Sequence, residues 1–307
     1  MMLVLSPMQD VTDAAFLRVL HRLGCAPDAV VTPYLRSTRT TCAMSEGPLL
    51  CIAENPPGFP IWAQLAGSDP EPLVRDARHL MAHYPICGIN LNAGCPSPLV
   101  NRHGAGAALL RDLPRLRAVC LALREALPPG AFSIKCRLGW ESAQEFPAIL
   151  DTLAEAQPDW VGVHGRTRRQ LYAGVPQAEA MALAPQRLSC PVLANGDLRS
   201  CAEAEACCAA VQPAGLMLGR GAVRNPYLFR ELRGGSAPTR AEKREYLHRL
   251  IEETGHALKI YTEAGHCNRM KKYLAFCYDL FTPQAEPRLR RCRELEELRA
   301  TIDQELL

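Results

Sequence analysis

Short apolar runs alternate with longer amphipathic stretches over the first three quarters of the chain. Strands are predicted at Leu3–Ser6, Ala29–Thr32, Ile61–Leu65, Gly88–Leu91, Ser133–Arg137, Trp160–His164, Val192–Ala194 and Gly215–Leu218. Helical periodicity fills most of the gaps, at Ala14–His21, Pro72–Ala82, Leu116–Ala126, Glu145–Ala156 and Cys201–Ala209. Strands alternating with helices indicate βαβ units and a parallel sheet. Eight such units in about 230 residues fit a (β/α)8 TIM barrel better than a doubly wound sheet. The first strand is followed by no Gly-rich dinucleotide fingerprint, which counts further against the doubly wound alternative. Residues 233–238, Arg-Gly-Gly-Ser-Ala-Pro, read as a linker, and helical periodicity runs almost throughout 239–307. The expectation is a barrel domain over 1–235, then a small all-α helical domain of three or four helices over 236–307.

Composition sharpens this in two places. The formal net charge is only +3, so no chain-wide basic field exists and an anionic partner must be held by local patches. Of 35 basic residues five are Lys, and Lys243, Lys259, Lys271 and Lys272 all lie in the last quarter. Lys135 therefore stands alone in everything before them. The 14 cysteines include no C-x-x-C pair, and most sit singly in apolar runs where a free thiol behaves as a small hydrophobe. Neither a disulfide framework nor a metal site is expected. The apolar run in MMLVLSPMQD is too short for a signal peptide, and no stretch approaches the roughly 18 apolar residues of a membrane span. A cytoplasmic monomer with no membrane partner is expected.

In a barrel the chemistry lies at the C-terminal ends of the strands. Those ends are polar here: Ser6-Pro-Met-Gln9, Gln64, Asn90 to Ser97, Lys135 with Arg137, His164-Gly-Arg-Thr167, Asn195-Gly-Asp197 and Gly219-Arg-Gly-Ala222. Small turns after the seventh and eighth strands let backbone N–H groups approach a phosphate, and Arg220 adds a fork suited to it. A phosphate-bearing cofactor is the reading. Lys135, between Ile134 and Cys136, would be costly buried without a partner, and a compact ammonium suits the polar edge of a flavin. His164 sits where a cofactor contact is expected, and the amides of Gln9 and Gln64 can read a heteroaromatic edge. Cys95, between Gly94 and Pro96 just past a strand, differs from the other cysteines: its thiol is expected to project into the site as a nucleophile or general acid. No His–Asp pairing accompanies it, which favours proton donation.

These residues carry a resemblance. SPMQDVTD, QLAG, NLNAGCPS, GAGAALL, KCRLGW, VHGRTR, LANGD and GRGAVRNPYLF are similar, in order and spacing from residue 6 to about 229, to the motifs of the tRNA-dihydrouridine synthases. KCRLGWES and NRMKKYLAF most resemble the bacterial C-type branch, which acts on uridine 16 of the D-loop. The resemblance implies FMN-dependent reduction of a tRNA uridine with NADPH as reductant. It implies Pro7, Met8 and Gln9 against the flavin, and Gln64 and Lys135 at its polar edge. It places His164, Asn195, Gly196, Asp197, Gly219 and Arg220 around the ribityl phosphate. Asn92 and Arg137 would face the flipped uracil, and Cys95 would be the acid. Arg36 resembles an RNA-contacting arginine of the C-type branch. Arg269, Lys271 and Lys272 form one candidate RNA cluster and the run from Arg288 to Arg293 a second, although the acidic residues Glu294, Glu296 and Glu297 follow at once. Ser6, Asp10 and Pro33 depart from the family pattern.

Two other readings remain open on sequence. An FMN barrel acting on a free pyrimidine would not need the basic helical tail, so deleting 239–307 should separate the two. A tRNA-binding chaperone with a vestigial flavin site is the other, and it would purify colourless.

Overall fold

The computed structural model describes residues 1–307 except 40, 41, 44, 45, 54, 56–58, 259 and 261. The apolar runs form strands β1 (Met2–Leu5), β2 (Ala29–Val31), β3 (Leu35–Ser37), β4 (Cys42–Ala43), β5 (Ile61–Ala66), β6 (Gly88–Ala93), β7 (Phe132–Arg137), β8 (Trp160–His164), β9 (Val192–Asn195) and β10 (Gly215–Leu218). Eight of them pair in parallel in the order β1-β2-β5-β6-β7-β8-β9-β10, and β10 returns to β1. The sheet closes: this is a TIM barrel, with helices around it and further helices after it.

The eight expected strands form to within a residue or two. Two short ones were not anticipated. The line of β2 is interrupted at Thr32-Pro33-Tyr34 and resumes as β3, which pairs with β5 through Leu35↔Leu65 and Arg36↔Ala66. Proline offers no N–H to the ladder, which explains the break. The expected helices also appear, but those at Pro70–His83 and Leu113–Ala126 begin two or three residues early. In each an Asp side chain caps the first turn, Asp69 or Asp112, and a proline follows within it. The apolar periodicity starts only after that polar turn.

A period of two along each strand sorts its side chains between two environments. Leu3, Leu5, Val30, Ile61, Ile134, Val161, Val163, Leu216 and Leu218 join the large core under the helices. Val4, Ala29, Val31, Trp62, Trp160, Leu193 and Met217 form a separate cluster inside the barrel. There Trp62 and Trp160 meet edge to face at 5.1 Å and plug its lower half. On every barrel strand but β2, an inward position lies above that plug. Those positions are Ser6, Gln64, Asn92, Lys135, Gly162, Asn195 and Gly219.

Beyond the linker, helices Arg240–Ala257, Glu263–Leu274, Ala285–Arg291 and Leu295–Glu305 follow. Thr239 and Glu242 form a reciprocal capping box at the first. That helix packs along Ala14–Arg22, the first helix of the barrel. Tyr246 Oη donates to the Val223 carbonyl at 2.6 Å, and the buried Glu253 pairs with Arg22 at 2.7 Å. Tyr246, Leu250, Met270 and Tyr273 belong to the same buried core as Phe16 and Leu20. Deleting 239–307 would therefore uncover barrel core, so that truncation does not test RNA binding alone. No helix among the described residues is long and apolar enough to cross a membrane.

Candidate active site

A cavity of about 440 Å³ opens at the C-terminal mouth of the barrel. It is lined by Pro7, Met8, Gln9, Gln64, Lys135, His164, Asn195, Gly196, Asp197, Gly219 and Arg220, and by Cys95, Asn92 and Arg137. Residues from seven strand ends thus meet in one volume, as their shared inward parity requires. Tyr34, Tyr172, Arg199 and Phe276 also line it, Phe276 coming from the C-terminal helices.

The floor is a chain of amides. Gln64 Nε2 donates to Asn90 Oδ1 at 2.8 Å, Asn90 Nδ2 to Ser133 Oγ at 2.9 Å, and Asn92 Nδ2 to Gln64 Oε1 at 2.9 Å. Asn92 Oδ1 in turn accepts from the N–H groups of Gly94 and Cys95, at 3.1 and 2.9 Å. Asn92 is thereby the pin of the Cys95 turn, with both ends of its amide engaged. The Cys95 carbonyl is held from the other side by Asn101 Nδ2 at 2.8 Å and Ala107 N at 3.0 Å. Gly106 permits this: its φ is +64°, and a Cβ there would lie 2.8 Å from the Cys95 oxygen. Burial pushes the Cys95 thiol above its ordinary pKa, against smaller opposing effects from a backbone hydrogen bond, Arg137 and Lys135. It is a thiol at neutral pH.

Lys135 lies on β7, and its Nζ donates to Asn195 Oδ1 at 2.9 Å. Asn195 Nδ2 donates to the Met217 carbonyl at 2.7 Å, which fixes its orientation. Burial, reinforced by the neighbouring Arg137 charge, pushes Lys135 down to about 8. Arg137 is buried too and brought down to about 10 by desolvation. Its donors go to the carbonyls of Gly94, Thr167 and Leu171, at 2.8, 2.9 and 2.7 Å. Arg137 thus ties the Cys95 turn to the loop after β8. Burial and four surrounding cations drive His164 far below its ordinary value, so the ring is neutral.

Arg166, in the VHGRTR motif, has a role that the sequence does not reveal. It is fully buried and donates to the carbonyls of Ala173 and Gly174 and to Asp197, and its Nη1 lies 3.3 Å from His164 Nε2. Asp197, in the left-handed region at φ +48°, gathers Arg166, Arg199 and Arg220. Burial alone would raise its pKa, but those guanidinium groups outweigh it and hold the carboxyl low. Tyr172 had no sequence signal at all. It lies eight residues past β8, and Arg137 and Arg220 stack over its ring at 5.4 and 5.0 Å. Asp197 is the one carboxylate among the described lining residues, against Lys135, Arg137, Arg199 and Arg220. The cavity is built for an anion.

The candidate RNA residues lie outside it, and three are engaged within the chain. Arg269 pairs with Asp13, which also accepts from Tyr273 Oη at 2.6 Å. Lys272 pairs with Asp10 at 3.0 Å, and Arg288 with Glu305. Among the described residues Lys271 reaches only Asn268, at 3.4 Å. Arg36 lies half-buried on β3 at the barrel rim and makes no ion pair among the described residues. The first two pairings join sequence positions more than 250 apart, which no local spacing reveals.

Comparison with known proteins is consistent along nearly the whole chain. A family model described as dihydrouridine synthase (Dus) matches residues 4–305. A tRNA-dihydrouridine(16) synthase of Cupriavidus necator is 36% identical over 238 residues, covering 76% of this chain and 73% of the relative. One of Haemophilus ducreyi is 35% identical over 243 residues, 75% and 73% of the two chains. One of Vibrio cholerae is 29% identical over 311 residues, covering 99% of this chain and 95% of the relative. Among solved structures, the old yellow enzyme homologue of Zymomonas mobilis shares the fold. Its TM-score is 0.54 at 13% identity, over 78% of this chain and 89% of that one.

Proposed function

Because this chain belongs to the dihydrouridine synthase family, we propose that it reduces a tRNA uridine to 5,6-dihydrouridine, with FMN in the barrel cavity and NADPH as reductant. The observation that carries this is the pairing of a protonated, rigidly held Cys95 thiol with a cation-lined cavity of about 440 Å³, a size in the range of cofactor sites. The residues present fit the flavin. A half-buried ammonium whose partner among the described residues is an amide, Lys135 on Asn195, calls for an electron-rich neighbour. At Gly219 a Cβ would lie 3.2 Å from Met8 Sδ, and at Gly196, φ +130°, 3.2 Å from His164 Cδ2. Both positions keep backbone open where a phosphate would approach. Pro7, Met8 and Gln9 would lie against the ring system, with Gln64 and Lys135 at its polar edge. His164, Asn195, Gly196, Asp197, Gly219 and Arg220 would hold the phosphate end.

Bound flavin supplies the hydride that reduces uracil C6. The chain supplies the rest. Negative charge develops across C5 and O4 as C6 is reduced, and the Cys95 thiol donates the proton that quenches it at C5. Asn92 and Asn101 hold the turn that aims the thiol, and Arg137 fixes that turn to the wall after β8. Asn92 and Arg137 also flank the space left for a uracil. A base in folded RNA must be extruded to reach the cavity, at a cost of a few kcal/mol. Arg36, Lys271 and the tail supply contacts toward the RNA, and Arg269, Lys272 and Arg288 hold the tail in shape for it. The relatives' names point to uridine 16 of the D-loop. Mapping dihydrouridine in tRNA from a strain lacking this protein tests both parts. Loss at position 16 alone is expected, loss at another D-loop position removes the site assignment, and no loss removes the function.

A further inference from the structure

Across the barrel from the C-terminal helices lies a cationic feature that the cavity does not use. Arg111 and Arg168 stack on the indole of Trp140, their guanidinium carbons 4.7 and 4.5 Å from its ring centre. The two charges therefore lie within about 9 Å of each other. Neither has a carboxylate partner among the described residues, where most of the chain's other arginines do. The nearby acids are engaged elsewhere. Glu145 accepts from the N–H groups of Trp140, Glu141 and Ser142 at 2.8, 3.0 and 2.9 Å, and Glu141 pairs with Arg169 at 3.3 Å. Three amides on one carboxylate fix the turn after β7, so Trp140 is presented rigidly. Preorganised like charges left uncompensated at a surface are the arrangement an external polyanion completes.

The topology places this feature. In the closed order, β7 is diametrically opposite β1, and the C-terminal helices meet Asp10 and Asp13 just past β1. Arg111, Trp140 and Arg168 lie at the same mouth of the barrel but outside the cavity lining. Arg168 also touches the reaction machinery: its Nε donates at 3.3 Å to Asn101 Oδ1, and Asn101 holds the Cys95 carbonyl.

We propose that Arg111 and Arg168, held on Trp140, form a phosphate-binding platform that grips the substrate RNA backbone on the side of the cavity opposite the C-terminal helices. This rests on the uridine-reduction reading. The RNA is then held at two rims with its target nucleotide over the opening between them. Guanidinium forks suit phosphate oxygens, and stacking on indole limits the freedom lost on binding. A rim position outside the cavity, with Arg111 exposed and Arg168 half-buried, favours an RNA backbone over the phosphates of NADPH.

The test uses flavin-loaded Arg111→Gln, Arg168→Gln and the double variant, with tRNA binding measured over a range of salt. Each lost phosphate contact reduces the slope of log K against log salt by about one. The double variant is expected to lose about two, with a raised KM for tRNA and an unchanged KM for NADPH. Arg111→Lys is expected to keep the slope. A double variant with wild-type flavin content and melting temperature but an unchanged slope overturns the platform. So does a raised KM for NADPH with tRNA binding intact. A wild-type chain that binds and reduces no tRNA removes the parent reading instead, a separate result.

Discussion

Lys135 offers a test that needs no substrate. Its side chain is half-buried in the cavity wall, and its ammonium donates to the Asn195 amide at 2.9 Å. Burial takes its pKa from an ordinary 10.5 to about 8. At about 1.4 kcal/mol per unit, the charged form costs the flavin-free fold about 3 kcal/mol. Between pH 8 and 10.5 the unfolded chain carries a proton that the folded chain has shed. Stability therefore rises with pH across that window, and below pH 8 the full cost is present. Lys135→Met removes the cost along with a hydrogen bond contributing about 1 kcal/mol. The flavin-free variant should be about 2 kcal/mol more stable than wild type at pH 7, roughly 3 °C in melting temperature for a chain of this length. Its advantage should shrink as pH rises toward 10, and its FMN affinity should fall. Urea unfolding of flavin-free protein at pH 7 and pH 9.5 reads both effects. A variant less stable at both pH values, with no change in pH slope, refutes the reading of Lys135 as a charge awaiting its ligand.

Three further predictions follow the same geometry. Cys95→Ala should keep flavin content and NADPH oxidation and lose uridine reduction by about 10² to 10⁴, the range for a general acid; full dihydrouridine yield in that variant removes Cys95 from the mechanism. Asp13→Ala should destabilise the chain by about 3 kcal/mol or more, since it leaves Arg269 with its nearest carboxylate gone, frees Tyr273 Oη and uncaps helix Ala14–Arg22; a melting temperature within a degree of wild type contradicts this. Gly106→Ala should lower kcat while flavin content holds, because the added methyl displaces the Cys95 carbonyl; unchanged kcat in a folded variant rules out that route.

The strands and most cavity residues were legible because one property encodes both. A strand alternates, and a barrel gives its two faces different fates. Val4 and Ser6, Trp62 and Gln64, and Leu193 and Asn195 are pairs in which an inward plug residue is followed two positions on by an inward polar one. A polar residue in step with buried apolar neighbours is visible in a single chain. Tyr172 has no such register, since it enters the site on a loop whose course depends on Arg166 and Arg137 holding its carbonyls. The pinning role of Asn92 was equally hidden, because the amide's partners are decided by how the chain turns after β6.

The tail shows the opposite failure: charge was legible, its use was not. Arg269, Lys272 and Arg288 read as a basic surface from their spacing, yet each meets a carboxylate, two of them on the barrel side. Asp10, in the left-handed region at φ +60° in the loop after β1, is one of those carboxylates and meets Lys272. Such pairings neutralise charge that a local reading counts as available, and with a net charge of only +3 the remainder matters more. Among the charges near the mouth that meet no carboxylate in the described residues are Arg111 and Arg168, after β6 and β8, where the local sequence shows two arginines 57 residues apart. The parallel pairing of β6, β7 and β8 side by side brings them to one indole. A basic partner-binding face is therefore better located by subtracting the internal ion pairs than by counting cations along the chain.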